Sequence, residues 1–356
     1  MYKTSLHDEH LALGAKMAEF AGFDMPIQYS GVKNEVLAVR NNVGVFDVSH
    51  MGEFFVTGND AVKFVDYIMT NDFANAEIGK AVYSPLCRDD GTVIDDLIAY
   101  KLEAEKVLIC VNASNIEKDW KWISAKTNGF SIELENHSDD YSLIAVQGPK
   151  TEEILTKLGL TSVTGASYYS AYEDKLNGHN LILARTGYTG EDGFEIFGGH
   201  DSIKTIWKTL LDLGVTPCGL ASRDVLRLEV CYPLYGHELN DEITPLDAAL
   251  KWTTKMNKES FIAKEALASY EPRFQLVKLS LDKGIPREGY EVLDSENNII
   301  GKVTSGTMSV VLEKGICLAL VEKSKVPQNK SFRIQIRKNI IEANFHTKPF
   351  ISGGHK

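Results

Sequence analysis

The sequence predicts an α+β fold that ends in a small β-barrel. Helical and strand periodicities are interspersed through the first 270 residues, and short turns join the strands, which makes them antiparallel. From about residue 272 the helical period vanishes and six short strands follow at regular spacing. A chain of 356 residues is also too long for one ordinary core. The division expected is residues 1–270 as two interleaved α+β domains and residues 271–356 as the barrel.

Residues 5–20 read as an amphipathic helix with Thr4 or Ser5 as N-cap, and "GVKNEVLAVRNNVG" as a second helix. "VFDVSHMGEFFVTG" alternates like a strand, and "GNDAVKFVDYIMTND" is a helix entered through Asn59 or Asp60. Three strands follow as a meander over 81–112: "AVYSPLCR", "TVIDDLIAYKL" and "KVLICVN". The second half holds helix "PKTEEILTKLGL", a Tyr-rich link, strands "NLILARTG" and "GFEIFG", and helices around 201–213 and 220–230. "TPLDAALKWTT" adds a further expected helix. The barrel strands are "RFQLVKLSL", "GYEVLD", "NIIGKVTSG", "GICLALVE", "SFRIQIR" and "IIEANFH".

A net charge of −11 argues against nucleic acid as a partner, because binding a polyanion needs a basic face. Five dispersed cysteines without a C-x-x-C pair suit a reducing compartment and read as small buried hydrophobes. The start has no apolar leader and no window reaches the length of a membrane span, so a cytoplasmic protein is expected. No His/Cys cluster has metal spacing, and His7-x-x-His10 reads as a surface pair.

Asp95 and Asp96 interrupt the strand "TVIDDLIAYKL", where aspartate is disfavoured. Strand parity puts Val93, Asp95, Leu97, Ala99 and Lys101 on one face, and Ile94, Asp96, Ile98, Tyr100 and Leu102 on the other. The face ending in Lys101 is expected to meet water, which leaves Asp96 as the inward carboxyl. Such a group must be bonded, paired or protonated. It either serves the fold or floors a ligand site. A turn at Glu103–Glu105 sets Asn112 opposite Asp96, and the preceding strand brings Tyr83 near.

"ARTGYTGEDGFEIFG" has neither P-loop nor dinucleotide-fingerprint spacing and leads into a strand, so it is a Gly-rich hairpin connection. It carries Tyr188 and the strand residue Glu195. In "PCGLASRDVLRLEVCYPLYGHEL", Arg223 and Arg227 stand at i and i+4 on one helix face. Like charges there repel unless an anion answers them. Asp224 and Glu229 lie elsewhere on the wheel, which favours an outside acceptor.

Together, "LGAKMAEFAGFDMPIQY", "FDVSHMGE", "DDGTVIDDLI", "ARTGYTGEDGFEI", "PCGLASRDVLRLE", "PLYGHEL", "GIPREGYEVL" and "GKVTSGTMS" resemble the T-protein (aminomethyltransferase) family of the glycine cleavage system. The runs occur in the family's order and cover about residue 4 to Phe350. The resemblance implies a three-domain ring around a central tetrahydrofolate site and a lipoylated H-protein as partner. It implies no metal, and a monomer or weak homodimer. Carried onto this sequence, it places Asp96 beside the reactive nitrogens and Glu195 against the pterin edge. Met51, Tyr83, Asn112 and Tyr188 would line the pterin pocket. Arg223 and Arg227 would serve the folate site, with Tyr168 and Trp252 as wall residues. Phe23 stands where the family has tryptophan, valines replace a Pro-Thr pair in "GTMSVVLEKGI", and the tail "ISGGHK" brings no aromatic ring. Alternatives on the same fold are a folate-dependent demethylase and a non-catalytic folate-binding assembly factor. The latter carries a "KGCYxGQE"-type motif where this chain has "GYTGEDGFE".

Overall fold

A computed structural model describes residues 1–354, in which three larger sheets carry the architecture. The first has the spatial order Lys80–Cys87, Val93–Glu103, Lys106–Val111, Gly52–Thr57, Glu133–Asn136. The second runs Ala171–Leu176, His179–Ala184, Gly193–Gly199, Tyr141–Gln147, Gly44–Asp47, Thr216–Pro217, and only its last pair is parallel. The third closes Phe274–Leu281, Gly315–Glu322, Ile299–Met308, Glu291–Leu293, Phe332–Ile336 and Asn339–His346 into a barrel without free edges. Each barrel strand matches one of the six expected runs. The fold is α+β with a closed C-terminal barrel.

Both faces of the first sheet are buried. Leu97, Ala99 and Ile109 pack on Phe64, Val65 and Ile68 of helix Ala61–Ile68 and Ile123 of helix Ile116–Ser124. On the other face Phe55, Tyr100 and Cys110 meet Phe46, Ala184 and Phe197 of the second sheet and Leu226 of helix Leu220–Glu229. Large apolar side chains buried this way contribute about 1.5–3 kcal/mol each. The shared core fixes the two sheets against each other.

Helix Leu220–Glu229 also holds the barrel. Arg227 donates to Ser305 at 2.7 Å, and Glu229 accepts from Ser309 at 2.7 Å and from Arg40 at 2.8 Å. Glu229 is completely buried, so these donors are what make its charge tolerable there.

Several local expectations are corrected. The first helix is only His7–Ala12, ended by Gly14 at φ +70°, and Lys16–Phe20 hairpins onto Phe23–Gln28. Thr4 and Ser5 do not cap it: their hydroxyls bond Asp47 and Ser142. "VFDVSHMGEFFVTG" is two strands in two sheets, because residues between Asp47 and Gly52 turn the chain. The Tyr-rich link contains the strand Ala171–Leu176. "TPLDAALKWTT" forms turns and a short 3₁₀ segment, Lys251–Thr253. There Ala249 has φ +61°, and Asp247 is occupied by Thr244, Tyr270 and Arg273. His7 and His10 are buried, bonded to Asp24 at 2.9 Å and Asp47 at 2.8 Å.

Candidate functional site

A cavity of ≈ 850 Å³ opens between the two α+β sheets and the barrel, which contributes Leu276 and Lys278 to its wall. Asp96 lies on its floor, half-buried. Tyr83 Oη donates to Asp96 Oδ2 at 2.9 Å, and Asn112 Nδ2 donates to Oδ1 at 3.0 Å. The register Ile98↔Cys110, continued to the end of the ladder, is what sets Asn112 across from Asp96. Burial, with the charge of Asp95 second, pushes the Asp96 carboxyl up to about 7.

Asp95 does not meet water. It is fully buried on the helical side of the sheet, where it accepts from Asn112 Nδ2 at 2.8 Å and Asn115 Nδ2 at 2.7 Å. Two features defeat simple parity here. The sheet is covered on both faces, so the strand has no solvent side. A bulge also places Leu86 opposite Asp95 but Cys87 opposite Val93, and the extra residue Ile94 packs with Leu97 and Ala99 on the helical side.

Above the floor, Trp252 stacks on Tyr83 with ring centroids 6.1 Å apart and planes 23° off parallel. Tyr168 and Met51 line the same space. The loop between His179–Ala184 and Gly193–Gly199 supplies Tyr188, whose hydroxyl donates to the Pro233 carbonyl. Arg185 clamps this loop through Asp192, with Nε to Oδ1 at 2.9 Å and Nη2 to Oδ2 at 2.6 Å. Gly190 lets it pass the end of helix Leu220–Glu229: at φ +79° a Cβ would lie 2.3 Å from a Val230 methyl. Glu195 is buried at the cavity wall, accepting from Thr186 Oγ1 and, at 3.5 Å, from Tyr100 Oη; burial raises its carboxyl.

The two arginines part company. Arg223 lines the cavity with its guanidinium 4.8 Å from the Tyr188 ring centre. Among the described residues it meets no carboxylate and no hydrogen-bond acceptor. Arg227 does not line the cavity. It is 1% exposed and bonded to Asp224 at 2.8 Å, Glu238 at 3.1 Å, the Tyr232 carbonyl at 3.0 Å and Ser305. Asp224 lies at i−3 from Arg227, within reach on the helix surface, so an internal acceptor exists where an external one was expected.

Residues not singled out from the sequence also face the cavity: Tyr100, Tyr169, Tyr232, Tyr235 and Lys278. Tyr100 was findable, since it shares the face of Asp96 and Ile98. Lys278 was not, because packing of the barrel alone brings it there. His50, beside Met51, is buried, its Nδ1 without a hydrogen-bond partner among the described residues, and burial and the Arg223 charge hold it down to about 4. Among the described residues no group of three or more His, Cys, Asp or Glu side chains could hold a metal, and no helix is long and apolar enough to cross a membrane. The arrangement suits a flat ring seated among aromatics, with N–H groups for two carboxyls and an anionic part for the cations Arg223 and Lys278.

Residues 6–258 match the GCVT N-terminal domain, and residues 275–351 match the glycine cleavage T-protein C-terminal barrel domain. The chain is 47% identical over 362 residues to an aminomethyltransferase of Thermosipho melanesiensis, covering 100% of this chain and 99% of that protein. It is 43% identical over 360 residues to an aminomethyltransferase of Thermotoga maritima, covering 99% and 98%. The crystal structure of glycine cleavage system aminomethyltransferase T from Bartonella henselae superposes with a TM-score of 0.94 at 30% identity, over 99% of both chains.

Proposed function

This chain belongs to the glycine cleavage T-protein family of aminomethyltransferases, and on that premise we propose that the cavity binds tetrahydrofolate and receives the lipoyl arm of a loaded H-protein. The aminomethyl group arrives as an S–CH2–NH3+ unit. A folate nitrogen attacks its carbon, ammonia leaves and that nitrogen sheds its proton. The second folate nitrogen then displaces the lipoyl sulfur as it closes the methylene bridge, and its proton goes to the departing sulfur, which leaves as a thiol. The products are methylenetetrahydrofolate, ammonia and dihydrolipoyl H-protein.

Asp96 is the residue we assign to the chemistry. A carboxyl with a pKa near working pH can take the proton that the attacking nitrogen sheds, and as the anion it stabilises positive charge developing on that nitrogen. Tyr83 and Asn112 hold it in one orientation. Glu195 receives the amide and amino edge of the pterin, a two-donor edge that matches a carboxylate. Arg223 answers a folate oxygen or carboxylate, and Met51, Tyr168, Tyr188 and Trp252 confine the rings. Holding the reactants in attack geometry can itself supply roughly 7–11 kcal/mol. For describing this machinery we take residues 1–270 as the folate-binding region and 271–356 as the barrel that closes its wall.

The observation that carries this reading is Asp96, held by Tyr83 and Asn112 on the floor of a cavity that Glu195 and Arg223 also line. Calorimetric titration with tetrahydrofolate should show one site per chain. Ammonia release from aminomethyl-loaded H-protein should then require both folate and this protein. Asp96→Asn should cut kcat by two orders of magnitude or more while changing folate affinity little. Normal turnover in that variant would remove Asp96 from the mechanism.

A further inference from the structure

Behind the cavity floor lies a carboxyl that the reaction scheme leaves unused. Asp119, in helix Ile116–Ser124, is fully buried, and among the described residues neither of its oxygens meets an N–H or alcohol donor. The group its carboxyl lies against is the carboxyl of Asp95. Two buried carboxyls in such contact cannot both be charged, so one keeps a proton.

The surroundings decide which. Asp95 collects the Asn112 backbone N–H at 3.1 Å, Asn112 Nδ2 at 2.8 Å and Asn115 Nδ2 at 2.7 Å. Asp119 collects none of these, so the proton belongs to Asp119 and the negative charge to Asp95. Asn112 Nδ2 is also the group that reaches Asp96 at 3.0 Å. Were the Asn112 amide reversed, its oxygen would face two carboxyls. The Asp95 charge thereby fixes the amide with its N–H groups forward.

We propose that Asp119 and Asp95 form a proton-sharing positioning pair for Asp96. Asp119, as a neutral acid, donates to the Asp95 anion; that anion orients Asn112 and places a fixed negative charge behind the reacting carboxyl. The functional half rests on the assignment of Asp96 to the chemistry.

Other charged or titratable groups face the cluster from each neighbouring element. Tyr83 comes from Lys80–Cys87, Tyr188 from the Gly-rich loop, and Lys118 from the same helix as Asp119. Tyr235 stands nearby, backed by Asp241 and Arg88. Lys118 is turned away, donating to Tyr235 Oη at 2.7 Å. Consistent with the pair, burial and the Asp95 charge push Asp119 up to about 11.

The test is carbon NMR on the full-length protein labelled at the aspartate carboxyl carbons. Resonances of Asp119 and Asp96 are assigned by their loss in Asp119→Asn and Asp96→Asn. In the wild type the Asp119 signal should stay at the protonated position from about pH 5 to about pH 9. Asp119 titrating in the ordinary carboxylate range overturns the pair, and this needs no variant to fold with a lesion.

In Asp95→Asn the Asp96 midpoint should fall by roughly one pH unit or more, since the like charge is gone. Asp119→Ala should lower it too, because Asp95 then competes for the proton, and Asp119→Asn, which retains a donor, should restore it. An Asp96 midpoint that stays fixed in Asp95→Asn overturns the proposal. The acid limb of the kcat profile should follow the same order. If the NMR midpoints move and the kcat profile does not, the pair stands and Asp96 loses its place in the chemistry.

Discussion

Tyr83 donates to Asp96 at 2.9 Å on the cavity floor, yet the carboxyl still keeps its proton up to about 7, because burial and the Asp95 charge outweigh the donor. This has a cost in stability with a definite sign. In the unfolded chain the carboxyl ionises near its ordinary 3.8, so between that value and about 7 the folded state binds the extra proton. Stability therefore falls as pH rises through that window. Asp96→Asn cannot ionise. It should melt close to wild type near the bottom of the window and above wild type at about pH 8, while being nearly inactive. Thermal melts at both pH values check this, and a lower-melting variant at the higher pH contradicts it.

Arg223 and Arg227 stand one helical turn apart and should respond oppositely to substitution. Arg227→Ala leaves the buried Glu238 carboxylate without its cation and should cost about 3–5 kcal/mol in denaturant unfolding. Arg223→Gln removes a cation that makes no ion pair or hydrogen bond among the described residues, so the melting temperature should hold. Its tetrahydrofolate Kd should rise on the order of 10- to 100-fold, the value of one charge-assisted hydrogen bond. Retained affinity in Arg223→Gln would exclude it from the ligand site.

That helix also shows where reading the sequence succeeds and fails. Periodicity located it, and spacing put two arginines on one face, but the choice between an internal anion and a ligand depends on Asp224, Glu238 and Ser305 reaching Arg227. Glu238 and Ser305 are brought by tertiary packing. Strand parity correctly separated Asp95 from Asp96, since neighbours must point to opposite faces. It could not report that both faces are covered, which is how Asp95 was expected in water and is found beneath Asn112 and Asn115. The six barrel strands were legible because each is a short run at regular spacing without helical periodicity. The expected helix at Thr244–Thr254 was not, because the positive φ of Ala249 and the bonds of Asp247 override its apolar period.

Glu53 is a further buried carboxyl, and neither of its oxygens has a partner among the described residues. Burial alone raises it well above its ordinary 4.5. The folded state thus retains a proton that the unfolded chain has lost, and stability declines as pH rises above that ordinary value. Glu53→Met keeps the volume and removes both the orphaned atoms and the titration. It should raise stability at about pH 8 by roughly 1–3 kcal/mol in urea unfolding, with a smaller gain near pH 4. Destabilisation at both pH values would mean that the carboxyl has a partner in solution.

Trp252 offers a direct report on the cavity. It is 61% exposed and stacked on Tyr83, whereas Trp207 is buried in the core beside His10 and Trp120 packs on Phe54. Trp122 sits under Lys126, and among the described residues no tryptophan but Trp252 lines the cavity. A folate ring entering the slot would lie against Trp252 and quench its emission. Titration with tetrahydrofolate should therefore lower the fluorescence of the wild type, and Trp252→Phe should abolish most of that change while still binding. Trp252→Ala should weaken binding by roughly 0.5–1.5 kcal/mol, the worth of one aromatic contact. Because the ring is largely exposed, its melting temperature should barely move. Full quenching in Trp252→Phe, after correction for folate absorbance, would place the ligand outside the cavity that Asp96 floors.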